Sequence, residues 1–165
     1  MNISSVGLMR NIWKEKFMVN KITLNIFEIL EKIGSAKKKA DKIALLKEHD
    51  SFGIRTVLQG CYNPNIKLQL PEGDPPYEPC DAHNAPSNLF KRSNQFANFV
   101  GKRAKELGAI KRERFFIQLL ESIHPEDAKI VLQMKDKKPF KGISSALVKE
   151  VYPNLMPPDW FVMTY

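Results

Sequence analysis

The sequence predicts an all-α protein, one compact bundle of about seven helices interrupted by a long proline-rich loop. Three observations carry that prediction. Apolar residues recur at helical spacing through most of the 165 residues. Several periodic segments open on a capping residue or proline, and several close on glycine or before proline. Hydrophobic residues make up 43% of the chain, an ordinary share for a single core at this length.

The first helical stripe is Ile22, Ile26, Ile29, Leu30 and Ile33, and Gly34 is its stop. Ser35 is placed to cap a second helix, with Ala40, Ile43, Ala44 and either Leu45 or Leu46 inward. Asp50 or Ser51 caps a third, which carries Ile54, Val57, Leu58 and Cys61 on one side.

Residues 62–86 break the pattern. They hold six prolines, and Glu72, Asp74, Glu78 and Asp81 face Lys67 alone. A stretch of this length without periodicity reads as a functional or partly disordered acidic loop. Within it "IKLQL" alternates, which suits a short strand or an extended segment.

Helical spacing returns at Ser87. Leu89, Phe96, Phe99, Val100, Ala104 and Leu107 form one stripe that Gly108 stops, and Phe115, Phe116, Leu119, Leu120 and Ile123 form another. "HPEDAKIVLQM" opens a helix with Pro125 in its first turn, Glu126 and Asp127 complementing the dipole, and His124 as the cap. "SSALVKEVYP" is the last, ending before Pro153. No repeat or low-complexity tract is visible.

Residues 1–17 read as an N-terminal extension and residues 18–165 as a single helical domain. The extension lacks the apolar centre and cleavage site of a secretory signal. Its Arg10, Lys14 and Lys16 near Ile12, Trp13 and Phe17 suit a short amphipathic surface helix, and Met18 offers an alternative start. No run of about 18 apolar residues exists, so no membrane partner is expected. Two cysteines, Cys61 and Cys80, are too few for a disulfide scaffold. A soluble, intracellular protein is expected.

Lysine and arginine number 26 against 18 acidic residues, a net charge of +8. That balance favours nucleic acid, an acidic protein or an anionic surface. The charge gathers in three places. "GSAKKKADK" sets Gly34 and Ser35 before Lys37, Lys38 and Lys39 at a helix start, where lysines oppose the dipole by about 0.3–1 kcal/mol each unless an anion sits nearby. "KDKKPFKGISSALVKEV" repeats the design, with Lys135, Lys137, Lys138 and Lys141 before Gly142, Ser144 and Ser145. Both also suit solvated lysines with ordinary capping; finding both in one chain favours phosphate contact. Residues 91–114 carry eight basic residues, Arg103 and Arg112 among them, against Glu106 and Glu113. Lys102 and Glu106 are spaced to pair along a helix, and the phenylalanines there are at core spacing.

"CDAH", with Cys61, invites a zinc reading, but a structural site wants four ligands and only His49 and His124 remain. Buried or free thiols are the default. Glycine-rich phosphate loops, nucleophile elbows and His-Glu-x-x-His helices are missing, so neither catalysis nor a cofactor is expected.

"IFEILEKIGSAKKKADKIALLKEH" and, much later, "LLESIHPEDAKIVLQMKDKKPFKGISSALVKEVYPNLMPP" together resemble the N-terminal DNA-binding domain of bacteriophage ATP-dependent DNA ligases. The shared features are a helix running into Gly-Ser plus lysines, then Gly-x-Ser at a helix start, then an aromatic-Pro-x-Leu-x-Pro close. They cover about half the chain; the acidic insert departs from the pattern. The resemblance implies an all-helical domain gripping duplex DNA by its backbone and minor groove. It carries Ser35, Lys37 and Lys39 to one contact and Lys141, Gly142 and Ser144 to another. The Lys-x-Asp-Gly motif of the nucleotidyltransferase domain is absent from these residues, so the clamp is expected without the catalytic unit.

The expected interface is Ser35, Lys37, Lys39, Arg103, Arg112, Lys138, Lys141, Gly142 and Ser144, with no metal. The expected function is a non-catalytic phage accessory protein on duplex DNA in the host cytoplasm. The alternative is a protein-interaction module, a virion component or host-takeover factor, using a ligase-like scaffold.

Overall fold

The computed structural model describes residues 24–153. The expectations on residues 1–17, Met18, Ile22 and the Pro-x-Leu-x-Pro close beyond Pro153 fall outside them. The regular elements of the described residues are all helices: α1 (Ile26–Ser35), α2 (Lys39–Glu48), α3 (Phe52–Tyr62), α4 (Leu89–Arg92), a 3-10 segment (Ser93–Phe99), α5 (Gly101–Leu107), α6 (Ala109–Ser122), α7 (Pro125–Lys135) and α8 (Ser145–Val151).

α3 is the hub. Ser51 caps it, its hydroxyl accepting from the Ile54 N–H, and nearly every residue from Gly53 to Cys61 is buried. It packs against α4, the 3-10 segment, α7 and α8. Around it α1 presents Ile26, Ile29, Leu30 and Ile33, the stripe its spacing dictates. Each such fully buried aliphatic side chain contributes about 1.5–3 kcal/mol. α2 is weakly amphipathic, with Leu46 buried, Ile43 and Leu45 half-buried and Ala40 and Ala44 exposed, so its expected inward face is narrower than the spacing implies.

The starts of α1 and α7 meet. Glu28 reaches back to accept from the Asn25 N–H, and Asp127 accepts from the Phe27 N–H at 2.9 Å. His124 caps α7 as expected, its Nδ1 accepting from the Glu126 N–H, and its ring stacks on Phe27. Asp127 is 1% exposed and its Oδ2 has no partner among the described residues. Burial pushes its carboxyl up to about 6.

Two expectations need correction. The stripe from Leu89 to Leu107 is not one helix but α4, the 3-10 segment and α5, in which Phe96 packs edge-on against Phe99 and Phe99 against Phe116, both turned inward. Phe115 is 38% exposed: the inward stripe runs Phe116, Leu119, Leu120 and Ile123, and Phe115 sits at its outer edge, about 100° of rotation from Phe116.

The acidic loop is held throughout its length rather than loose. "IKLQL" forms no strand among the described residues; Gln69 N–H donates to the Phe99 carbonyl at 2.7 Å, and Ile66 packs with Val100. Lys135, its side chain 3% exposed, donates to the carbonyls of Pro71 and Gly73. Further along, Glu121 accepts from the Glu78 N–H, the Cys80 thiol donates to the Ile123 carbonyl, and Ser87 N–H donates to the Ser122 carbonyl.

Candidate functional site

Gly34, near the end of α1, and Gly142, just before α8, lie back to back. A Cβ on Gly142 would stand 2.3 Å from the Gly34 carbonyl oxygen, and one on Gly34 would stand 2.2 Å from the Lys141 carbonyl oxygen. Only glycine permits this approach, and Gly142 also holds φ +77°. Tyr62 sets the turn from α3, accepting from the Phe140 N–H at 3.0 Å and donating to the Ile143 carbonyl. Burial raises its phenol to about 12, so it stays a donor at all ordinary pH. Lys42 closes the contact, its ammonium 2.5 Å from the Gly142 carbonyl oxygen.

The two lysine-rich helix starts are thereby brought together. An open cleft of about 590 Å³ is lined by Lys37, Lys39, Lys42, Gly142 and Ser144 over a floor of Ile143 and Leu147. On the Gly34 side, a second groove of about 600 Å³ runs between α1 and α7, with Ser35 and Lys141 at its edge over Phe27, Leu30, Ile130 and Phe140. Ser144 caps α8, accepting from the Leu147 N–H at 3.1 Å, as its place in the sequence suggests.

Other residues serve differently from expectation. Ser35 is the last residue of α1 and does not cap α2; α2 starts from Lys38 with no side-chain cap, so Lys37 precedes the helix and Lys39 opens it. Lys39 is paired with Glu150 of α8 at 2.6 Å. Of the four lysines leading to Gly142, two turn inward. Lys135 anchors the acidic loop, and Lys137, at φ 54°, donates to the Gly60 and Asn63 carbonyls at the end of α3. Burial holds the Lys137 ammonium below the usual lysine value. Lys138 and Lys141 remain exposed.

Arg112 is a correction. Its guanidinium donates to the Gln69 and Ala104 carbonyls, bracing the acidic loop and α5 against α6, and it is half-buried. Arg103 is exposed on α5, which packs on the 3-10 segment and α6, and it is not among the residues lining the cleft. Sequence reasoning missed Lys42 and Glu150. Lys42 was findable, because it lies three residues from Lys39 and shares its helix face. The thiols of Cys61 and Cys80 donate to the Lys138 and Ile123 carbonyls, and no group of three candidate metal ligands occurs among the described residues.

A model of a family of unknown function, DUF6433, matches residues 29–140, more than half of the chain. The chain belongs to that family. The matched span takes in Gly34, Lys37, Lys39, Arg112 and Lys138, and ends one residue before Lys141. No curated protein and no solved structure matches.

Proposed function

We propose that this chain is a non-catalytic accessory protein that binds duplex DNA through its phosphate backbone, largely without regard to sequence. The observation that carries the reading is the Gly34–Gly142 contact, which gathers Lys37, Lys42 and Lys141 from distant parts of the chain around one exposed turn. Lysines so gathered raise the local potential, and a polyanion that releases counterions from several of them at once gains affinity from each. Lys38 and Lys138 are exposed nearby in sequence and extend the same charge. The resemblance to phage DNA ligase DNA-binding domains rests on these same residues and supports a phage setting for the protein. The site offers charge and hydroxyls without an activated nucleophile, which favours binding over chemistry.

The test is affinity for a short duplex over a salt series. With about five phosphate contacts the log–log slope is about −4 to −5. Undetectable binding at low salt overturns the reading and leaves the protein-interaction alternative.

A further inference from the structure

On the far side of the acidic loop, α6 carries a surface strip that none of the preceding roles uses. Ile110 is 77% exposed, the most open large apolar side chain among the described residues. One turn on come Glu113 and Arg114, both exposed and neither with an ion-pair partner among the described residues. One more turn brings Ile117, half-buried at the wall of a cleft of about 290 Å³ beneath the loop. Leu70, Pro75 and Phe116 make that cleft apolar, while Glu72, Asp74 and Glu113 outnumber Lys135 among its charged lining residues. Residues three, four and seven apart share a helix face, so the four α6 positions form one strip.

The order of the strip is apolar, acidic, basic, apolar, and this order is its own complement when reversed. We propose that two copies of the chain pair through α6, antiparallel about a two-fold axis between Glu113 and Arg114. In that register Ile110 lies over Ile117 of the partner subunit and enters its cleft, and Glu113 meets Arg114 of the partner subunit. Both relations occur twice by symmetry, as an isologous interface requires. Ile110 and Ile117 are about 10 Å apart along the axis, so both apolar ends engage without bending the helices. Burying the isoleucines supplies the attraction and the charge pairs set the register, because exposed pairs add little on their own. Unlike the DNA reading, this pairing uses none of the cleft lysines and stands or falls separately.

Sedimentation equilibrium on the full chain without DNA, from micromolar to millimolar protein, tests it. A dimer that dissociates on dilution is expected. Ile110→Glu and Glu113→Arg each weaken dimerisation at least about tenfold, since one buries a charge and the other sets arginines face to face. The double change Glu113→Arg/Arg114→Glu restores the dimer. Ile110, Glu113 and Arg114 are all exposed, and circular dichroism verifies that the variants are folded. A wild-type chain that stays monomeric throughout overturns the proposal without any variant. So does an Ile110→Glu dimer as tight as wild type, or a double swap no better than Glu113→Arg alone.

Discussion

Gly34 and Gly142 touch backbone to backbone, and either one with a side chain would drive a Cβ to within 2.3 Å of the other strand of chain. The contact holds the end of α1 against the approach to α8 and thereby shapes both grooves beside it.

Gly142→Val therefore costs stability directly. The positive φ contributes about 1–2 kcal/mol and the clash with Gly34 adds to it, so a loss of about 2–4 kcal/mol is expected. Thermal or denaturant unfolding of the variant measures this. Loss of DNA binding in Gly142→Val would report a displaced turn, so the glycine cannot separate phosphate approach from folding.

Charge reversals at exposed positions make that separation. Lys37→Glu and Lys141→Glu leave the melting temperature nearly unchanged, weaken binding alike on different duplex sequences, and each make the salt slope shallower by about one. Unchanged affinity in both variants would remove this surface from the interface.

Glu150 tempers the cleft by pairing with Lys39. Glu150→Gln frees that ammonium and removes a carboxylate from the proposed DNA-binding face. Binding at low salt rises several-fold, while stability moves by less than about 1 kcal/mol because the pair is exposed. Titration of wild type and variant against one duplex reads the difference.

Asp127 makes stability depend on pH. Its carboxyl is raised from the ordinary 3.8 to about 6 by burial, with His124 and Glu28 as the titratable neighbours facing it. The folded state holds the proton more tightly, so this stabilisation is complete below 3.8 and is lost as pH rises through about 6. Up to about 3 kcal/mol is involved. Asp127→Asn keeps the acceptor for the Phe27 N–H, and its melting temperature, followed across this window, falls less than that of wild type.

Lys135 ties down the acidic loop. Lys135→Met keeps the stem and loses the bonds to Pro71 and Gly73. Limited proteolysis spares the loop in wild type and cuts it near Gly73 in the variant. Early cleavage of the wild-type loop would show that these anchors are weak.

Local chemistry made much of the fold legible. Ser51, His124 and Ser144 act as helix caps because a cap is a relation among three neighbouring residues. The stripes of α1 and α6 follow from spacing alone, but the outward lean of Phe115 does not, because its offset of four from the buried Leu119 is that of a shared helix face. The charge, too, is a property of composition.

What composition could not assign was the direction of each charge. Lys135, Lys137, Lys138 and Lys141 look alike in the sequence, yet the first two reach carbonyls of residues 71, 73, 60 and 63 while the last two stay in solvent. Arg112 likewise faces inward, donating to the Gln69 and Ala104 carbonyls. The meeting of Lys42 with Gly142, 100 residues apart, depends on how α2 packs against both α1 and α8. Spacing decides which face of a helix is apolar. Packing decides which distant backbone its lysines find, because a buried carbonyl must be satisfied by whatever donor the fold brings within reach.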